Sequence, residues 1–341
     1  MPERTIGWDL GGAHLKAALA EGGTLMQVLQ LPCPLWQGLD RLDAAIGAAR
    51  SILGSATRHA VTMTGEMTDL FPNRAAGVAA LVEALEQRLA GAPIRYYGGA
   101  AGWLDAAGAG RNPRAVASAN WHASAAWTAR RIKEGLLLDI GSTTTDVVPF
   151  RGGEVRSRGT DDASRLVTGE LLYTGVVRTP VMALAEIVPF RGDQVPLMAE
   201  HFATSADVHR LCGTLPERCD QQPAADGGAK TPEASARRLA RMIGRDLEDA
   251  AMEEWRELAR WLGERQAQRV ADACATVLVR EGIAPEAPLV CAGAGRFLAP
   301  GIARRLGRPH LDFAVLAGGN EWAAVCAPAA ALALLASERK K

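Results

Sequence analysis

The sequence lacks several features that would point to particular classes of function. Its 38 basic and 38 acidic side chains cancel, so no net charge suggests a nucleic acid or an anionic membrane as partner. None of its six cysteines forms a CxxC pair, which argues against a zinc framework and a small disulfide scaffold. No signal peptide is evident, and the longest apolar run, around Pro328, is too short to span a bilayer. We therefore expect a cytoplasmic protein that binds neither nucleic acid nor membrane.

What the sequence does contain is an internal repeat. The segment WDLGGAHLKAAL aligns with LDIGSTTTDVVP, so that Asp9 corresponds to Asp139 at a separation of 130 residues. Each copy predicts a strand, an Asp-x-Gly turn, a second strand and a Gly-Gly hairpin into a third strand. The repeat predicts two α/β lobes, residues 1–132 and 133–341, each of which opens with an antiparallel β-meander.

The second lobe contains additional segments that the first lobe lacks. Helical periodicity dominates about residues 160–285, which we interpret as a helical insertion. Within it, residues 214–232 are rich in Pro, Gly, Asp and Gln and are interpreted as a mobile surface loop or an insertion. The segment HLDFAVL at 310–316 predicts a further strand. The closing apolar run predicts a buried helix that packs back on the first lobe.

The two Asp-x-Gly turns are candidates for a phosphate site. Glycine lets backbone N–H groups approach a phosphate closely, and the hydroxyl groups after the second turn add donors. Asp9 and Asp139 are candidate metal ligands, because Mg²⁺ prefers carboxylate and phosphate oxygens. One copy alone would be interpreted as an ordinary hairpin, but two copies in opposite lobes favour a shared site. Its other candidate residues are Gly11, Gly12, Lys16, Gly141, Ser142, Thr143 and Thr144.

A third glycine-rich turn occurs late in the second lobe. The segment VCAGAGRFLAP predicts a strand, a turn at Gly293 and Gly295, and a helix. The N-terminus of such a helix can bind a phosphate or a nucleotide sugar. The pattern is weak evidence, since strand-to-helix turns also use glycine for steric reasons alone.

The combination of these motifs resembles the actin, sugar kinase and Hsp70 superfamily. Its members are duplicated ribonuclease-H-like domains, with mixed sheets flanked by helices and a phosphate and metal site in the cleft between lobes. Within the superfamily, the chain resembles the hydantoinase/oxoprolinase-like proteins of tetrahydromethanopterin-linked one-carbon metabolism, of the type that makes a methanofuran precursor. The resemblance covers nearly the whole chain and rests on TMTGEMTDLF at 62–71, SANWHASA at 118–125, LDIGSTTTDVVPF at 138–150, GTDDASRL at 159–166, GELLYTGVVRTPV at 169–181, HFATSADVHRLCG at 201–213 and RRLARMIGRD at 237–246.

This resemblance implies a transferase of methanofuran or methylofuran biosynthesis. An (aminomethyl)furanylmethyl diphosphate loses pyrophosphate, and the phenol of a γ-glutamyl-tyramine or a tyrosine-derived acceptor attacks the methylene carbon. Mg²⁺ is the expected cofactor, and both substrates are small molecules. The sequence leaves the acceptor and the oligomeric state open, a homo-oligomer included.

Such a reaction needs a base for the phenol, whose free pKa is about 10. The candidates for this catalytic role are His122, Glu66 and Glu170, and the sequence does not choose among them. His122 can equally be a hydrogen-bonded residue inside a helix. Glu66 can cap a turn, and Glu170 can begin a helix.

Other candidates serve substrate recognition. Asp161 and Asp162 are partners for the ammonium group, and Arg178 is a partner for an acceptor carboxylate. Trp121 and Tyr173 can stack on the furan or phenol ring. The alternative for Trp121 is core packing, and the alternative for the aspartates is helix capping. The remaining candidate is Asn120. His201, Asp207 and His209 lack the spacing of zinc ligands and are interpreted as structural.

The sequence is compatible with two alternative functions. One is an ATP-dependent kinase or oxoprolinase-like amidohydrolase, which rests on the usual ligand of the superfamily and the turn at 293–295. ATP is expected only under this alternative. The other is a non-catalytic scaffold gated by a nucleotide, for which the sequence offers no dedicated assembly segment.

Overall fold

The computed structural model describes residues 3–338, and its strands form two six-stranded sheets and a separate hairpin. The first sheet has the order β3-β2-β1-β4-β5-β6, and the second has the order β10-β8-β7-β13-β14 with β9 paired to β8. The strands are β1 Arg4–Leu10, β2 His14–Glu21, β3 Thr24–Pro32, β4 Arg58–Met63, β5 Ile94–Tyr97, β6 Trp103–Leu104, β7 Glu134–Ile140, β8 Thr145–Arg151, β9 Glu154–Val155, β10 Leu171–Leu172, β11 Ile187–Phe190, β12 Asp193–Pro196, β13 Leu289–Ala292 and β14 His310–Asp312.

The two large sheets repeat the same arrangement of strands. In the first, β1 pairs antiparallel with β2 and parallel with β4; in the second, β7 pairs antiparallel with β8 and parallel with β13. The register is also repeated, because Asp9 lies opposite Lys16 and Asp139 lies opposite Asp146. The duplicated mixed-sheet fold that the sequence predicts is therefore confirmed.

Helices cover the outer face of each sheet. The helices are α1 Leu39–Leu53, α2 Arg74–Arg88, α3 Ala106–Arg111, α4 Pro113–Val116, α5 Asn120–Ala129, α6 Asp162–Thr168, α7 Ser205–Leu211, α8 Pro232–Arg241, α9 Met252–Arg280, α10 Ala299–Leu306, α11 Phe313–Leu316, α12 Glu321–Val325 and α13 Ala327–Ser337. Apolar residues of α1 and α2 pack on the first sheet, and those of α9 and α10 pack on the second. Periodic apolar faces on these helices bury one side of each sheet, which is why the lobes have separate cores.

Two helices lie between the inner faces of the two sheets, and each packs on the sheet of the lobe to which it does not belong in sequence. We call them the exchanged helices. Helix α13, from the end of the chain, packs on β1, β2 and β4, whereas α5, from the first lobe's part of the sequence, packs on β7, β8 and α13. Small side chains allow this close packing: a Cβ atom at Gly7 would lie 2.1 Å from the carbonyl oxygen of Ala329. The result is an alanine-rich core that joins the two lobes.

The insertion in the second lobe has a core of its own. The β11–β12 hairpin, α7, α8 and the first half of α9 form it, and the rings of Phe190 and Trp255 stack at 4.9 Å. The helical periodicity of this region is interrupted between Arg241, where α8 ends, and Met252, where α9 begins. Within residues 3–338, no helix has both the length and the apolar character that crossing a membrane requires.

One predicted strand is too long, and one predicted surface loop is anchored to the other lobe. The strand predicted for 310–316 ends at Asp312, because the Asp312 carboxylate accepts a hydrogen bond from the amide of Ala314 at 2.8 Å and caps α11. The segment 214–232 is mostly irregular and lies at the surface, as predicted, but it is anchored to the first lobe. Its Gln221 and Gln222 side-chain amides donate to the carbonyl oxygens of Gln30 and Ala13 in the first lobe, at 3.2 and 3.0 Å.

Candidate active site

A cavity of about 390 Å³ lies between the two lobes, where both Asp-x-Gly turns meet. Both predicted metal ligands, Asp9 and Asp139, line it. The predicted substrate-binding residues that line it are Gly11, Gly12, Lys16, Gly141, Ser142, Thr143, Thr144, Asn120, Trp121, Asp162, Tyr173 and Arg178. The fold thus brings residues from distant parts of the chain to one concave site, as expected of a small-molecule site.

The two turns have the same local geometry. The amide of Gly11 donates to the carbonyl oxygen of His14 at 2.9 Å, and the amide of Gly141 donates to that of Thr144 at 2.8 Å. The amides of Gly12, Ser142 and Thr143 donate no hydrogen bond to any other residue between 3 and 338. Free amides beside a cavity are suited to bind an anion.

The second turn is supported from behind by residues 175–178. The amides of Val177 and Arg178 both donate to the carbonyl oxygen of Ser142, at 3.1 and 2.9 Å. Gly175 leaves the room for this contact, because a Cβ atom there would lie 2.4 Å from the Ser142 carbonyl carbon and the Thr143 nitrogen. The segment GELLYTGVVRTPV therefore holds the turn in shape as well as lining the cavity.

A buried cluster of charged side chains forms the floor of the site. Lys16 Nζ lies 3.7 Å from Asp9, and Arg165 donates to Asp146 at 2.8 Å. Burial, followed by the nearby Asp146 and Asp9 carboxylates, raises the pKa of Asp139 to about 7. Burial also raises the pKa of Asp9 and Asp146, although Lys16 and Arg165 oppose it. Three carboxylates thus face two cations, so the cluster favours an additional positive charge.

The two carboxylates of the turns fit a divalent cation that takes its other ligands from a substrate. Oδ1 of Asp9 is buried and has no hydrogen-bond partner among the described residues. No group of three or more His, Cys, Asp or Glu side chains between residues 3 and 338 is arranged to hold a metal ion. Such a site suits Mg²⁺, which commonly binds through one or two carboxylates together with substrate phosphates. Asp9 and Asp139 are the residues that would hold it.

A second polar group at the edge of the cavity connects Glu66, Ser118 and Asp162. The Ser118 hydroxyl lies 2.9 Å from Glu66 Oε1 and 3.2 Å from Asp162 Oδ2, and Arg74 pairs with Asp162 at 2.7 Å. Ser118 has a positive φ of 50°, a backbone conformation that non-glycine residues rarely adopt. Glu66 is only 1% exposed, and burial raises its pKa to about 7. The carboxyl group can therefore gain or lose a proton near neutral pH.

None of the three candidate bases lines the cavity itself: Glu66 reaches it through Ser118, and the other two are held by partners elsewhere. Nδ1 of His122 lies 2.9 Å from the Tyr97 hydroxyl, and burial lowers the pKa of His122 to about 4. Burial opposes the charge of Glu170, but hydrogen bonds from Ser157 and from the amides of Arg158 and Gly159 outweigh it and lower the pKa of Glu170. These hydrogen bonds fix the loop before α6, and Glu170 also pairs with Arg280.

Three more predicted residues lie outside the lining of the cavity. Asp161 caps α6 by accepting a hydrogen bond from the amide of Ser164 at 2.8 Å. Gly293 has a φ of 86°, and its amide donates to Ala324, while the amide of Gly295 donates to Ile140, both at 2.8 Å. These two amides are thus already used in packing the turn, which accounts for the glycines on steric grounds.

Several neighbours of the site escaped sequence analysis. His14 lines the cavity, and burial, with Lys16 and Arg178 nearby, lowers its pKa to about 3. Arg165 is buried, lies 3.9 Å over the Trp121 ring and holds Asp146. His14 lies inside WDLGGAHLKAAL and Arg165 lies inside GTDDASRL, and this position is the signal by which the sequence could have indicated them. Ser118 begins the SANWHASA motif and offered a clearer signal.

A second cavity, of about 270 Å³, adjoins the first through Arg178, which lines both. Its walls come from Trp36 of the first lobe, the start of α7 and the segment 214–232. Asp207 and His209 serve the frame of this region: Asp207 binds Arg238 and Ser235 at 2.8 Å, and His209 lies 2.7 Å from Gln266. His201 lies at the wall of the cavity.

Solved structures share this fold at low sequence identity. Nucleotide-free acetone carboxylase, from work on ATP-dependent acetone carboxylation, is 10% identical, with a TM-score of 0.53 over 90% of this chain and 68% of that chain. At this identity the likeness concerns the fold alone.

Two curated relatives are similar in sequence. Both are called (4-{4-[2-(gamma-L-glutamylamino)ethyl]phenoxymethyl}furan-2-yl)methanamine synthase. The protein of Methanocaldococcus jannaschii is 31% identical over 244 residues, which are 71% of this chain and 72% of that protein. The protein of Methanococcus vannielii is 31% identical over 122 residues, or 36% of this chain and 54% of that protein.

A family model covers most of the chain. The hydantoinase/oxoprolinase model matches residues 58–339, which include the second Asp-x-Gly turn and the Glu66–Ser118–Asp162 group. The match spans parts of both lobes and the insertion. The chain therefore belongs to the hydantoinase/oxoprolinase family.

Proposed function

We propose that the protein is a transferase that joins an (aminomethyl)furanylmethyl diphosphate to a phenol and releases pyrophosphate. The acceptor is a γ-glutamyl-tyramine or a tyrosine-derived phenol, as in methanofuran or methylofuran biosynthesis. The names of the curated relatives describe a synthase whose product carries a phenoxymethyl link between these two parts. The observation that supports the proposal is the pair of turns that line one cavity and carry free amides.

The diphosphate would bind between the two turns. The amides of Gly12, Ser142 and Thr143 are available as donors, and Lys16 adds a positive charge. The Asp9 and Asp139 carboxylates nearby would repel a bare diphosphate, so we include Mg²⁺ in the proposal. The cation would neutralise charge on the diphosphate and stabilise the departing pyrophosphate.

The reaction needs mainly positioning and electrostatic stabilisation. The bond between the methylene carbon and the diphosphate oxygen breaks, and its electron pair leaves with pyrophosphate. The furan oxygen delocalises positive charge on that carbon, and the phenol oxygen then forms the new ether bond. The amides of the turns stabilise the charge that develops on the leaving group.

The phenolic proton goes to Glu66 in this proposal. Glu66 is the one of the three candidate bases that adjoins the cavity, through the Ser118 hydroxyl at 2.9 Å. Its pKa of about 7 suits a general base at neutral pH. Ser118 would pass the proton from the phenol to Glu66, while Asp162 would attract the ammonium of the furan substrate.

The aromatic rings of the substrates would bind at the exposed side of the cavity. Tyr173 is 51% exposed and lines the cavity, so its ring is free to stack on the furan. Trp121 is 5% exposed and is covered by Arg165, so we assign it to the frame of the site. Asn120 lines the cavity beside it and can donate a hydrogen bond.

A direct assay tests the proposed function. Purified protein is incubated with the furan diphosphate, γ-glutamyl-tyramine or tyrosine, and Mg²⁺, and both pyrophosphate and the ether are measured. We expect the two products in a one-to-one ratio, and an exposed-surface variant, Arg256→Met, serves as the control. If neither product forms with either phenol, and ATP is instead bound or hydrolysed, the ATP-dependent alternative replaces the proposal.

A further inference from the structure

The second cavity is built from both lobes and stands next to the proposed diphosphate site. Trp36 lies in a short turn that is fixed to the first Asp-x-Gly turn, because the amide of Leu35 donates to the carbonyl oxygen of Gly12 at 2.9 Å. The opposite wall, at 222–225, is held by the hydrogen bond from Gln222 to Ala13 at 3.0 Å. The cavity is therefore fixed in position relative to the reacting centre.

Most of the charged residues around this cavity already have partners. Arg210 is 6% exposed and bonds Glu217 at 2.9 Å and Asp220 at 2.5 Å. Asp220 also pairs with Lys230 at 3.1 Å. These side chains balance one another and hold the 214–232 segment against α7, so they are poor partners for a ligand.

Arg178 differs from these residues. Its guanidinium forms no ion pair and no side-chain hydrogen bond within residues 3–338, and it lies at the boundary of the two cavities. It stands 5.7 Å from the centre of the Trp36 ring, which is 41% exposed. A free guanidinium beside an exposed aromatic ring is suited to a ligand with a carboxylate and an apolar or aromatic body.

We propose that the second cavity binds the carboxylate-bearing tail of the phenolic acceptor, with Arg178 as the carboxylate partner and Trp36 as the wall against its body. The inference rests on the proposed function, because it assigns the phenol end of the same molecule to the first cavity. It predicts that a phenol with a carboxylate-bearing tail has a higher kcat/KM than a phenol that lacks the carboxylate. Arg178 then selects the acceptor, whereas the two turns bind the diphosphate.

The test compares two acceptors in several variants. The acceptors are γ-glutamyl-tyramine and tyramine, which lacks the carboxylate, and the furan diphosphate is kept saturating. We expect Arg178→Met to lower kcat/KM for γ-glutamyl-tyramine about 10- to 150-fold and to change the value for tyramine less than twofold. We expect Trp36→Leu to lower kcat/KM for γ-glutamyl-tyramine by about 3- to 10-fold and to change the value for tyramine, which lacks the tail, less than twofold.

Controls separate this inference from simpler explanations. Arg178→Lys keeps the charge and should recover part of the preference, while Arg256→Met, on the exposed face of α9, should match the wild type. Circular dichroism confirms that each variant folds. If Arg178→Met raises the KM of the furan diphosphate and affects both acceptors alike, Arg178 serves the diphosphate and the inference is wrong.

Failure of the inference can be distinguished from failure of the proposed function. Calorimetry measures binding of γ-glutamyl-tyramine to wild type and Arg178→Met in the absence of the diphosphate. If wild type forms no ether but binds this ligand in an Arg178-dependent way, the proposed function fails and the cavity assignment stands. If the ether forms and both proteins show the same acceptor preference, the inference alone fails.

Discussion

The buried carboxyl group of Glu66 gives the sharpest test of the site's electrostatics. Its pKa rises from an ordinary 4.5 to about 7, and each pKa unit corresponds to about 1.4 kcal/mol. Ionising Glu66 therefore costs the folded state about 3 kcal/mol relative to the unfolded chain. The protonated carboxyl group of Glu66 therefore stabilises the folded state relative to the ionised group. Because the folded pKa is the higher one, this stabilisation is fully present below pH 4.5 and is lost as the pH rises through 7.

The substitution Glu66→Gln removes this titration while keeping the shape of the side chain. We expect the free energy of unfolding of the variant, minus that of the wild type, to increase by about 2 to 3 kcal/mol between pH 5 and pH 8. Any loss of hydrogen bonds at Ser118 adds an offset that does not depend on pH in this range. The other carboxyl groups of the site titrate in both proteins, so the difference isolates Glu66.

Urea unfolding followed by fluorescence at pH 5, 6, 7 and 8 measures this difference. Glu257→Gln, on the exposed surface of α9, is the matched control and should follow the wild type at every pH. The same Glu66→Gln variant should lower kcat about 100- to 10,000-fold if Glu66 accepts the phenolic proton. Stability curves for wild type and Glu66→Gln that stay parallel from pH 5 to pH 8 would refute the reasoning.

Three further predictions concern other parts of the site. Gly175→Ala would push on the backbone at Ser142, so we expect a loss of about 1 to 3 kcal/mol in stability and a raised KM for the diphosphate, measured by urea unfolding and steady-state kinetics. Gly47→Ala, in open space on α1, is its control and should not weaken the fold. Asp139→Asn should raise the Mg²⁺ concentration needed for half-maximal activity at least tenfold in a metal titration; an unchanged requirement would argue against this ligand. Gln222→Ala should speed hydrogen exchange in residues 214–225 and raise the acceptor KM severalfold, and unchanged exchange there would show that other contacts hold the segment.

The duplicated strands and turns could be predicted because their determinants are local. Short apolar strands that are buried almost throughout, paired glycines at the second hairpin and the Asp-x-Gly spacing recur at 130 residues, and each copy folds into the same hairpin. The same register makes Asp9 and Asp139 equivalent positions, and this equivalence could be predicted without knowing how the lobes pack. The packing of the lobes then brings both carboxylates into one cavity.

The rest of the site depends on contacts that no local pattern encodes. Ser118 connects Glu66 to Asp162 across separations of 52 and 44 residues. The composition of 214–232 indicates a loop, but Gln222 binds Ala13, which is 209 residues away in the sequence. Composition reports the backbone preference of a segment, whereas its tertiary anchors decide whether it is held in place.

The exchange of α5 and α13 has a consequence for how the molecule folds and evolves. A cut between residues 132 and 133 would give two fragments, and each would carry the helix that completes the other's sheet. Neither fragment could bury its inner sheet face alone, so we expect separately produced halves to aggregate and co-expressed halves to reassociate. The intact chain should melt in a single cooperative transition, despite its two lobes. Each half of the repeat therefore depends on the other half for its stability.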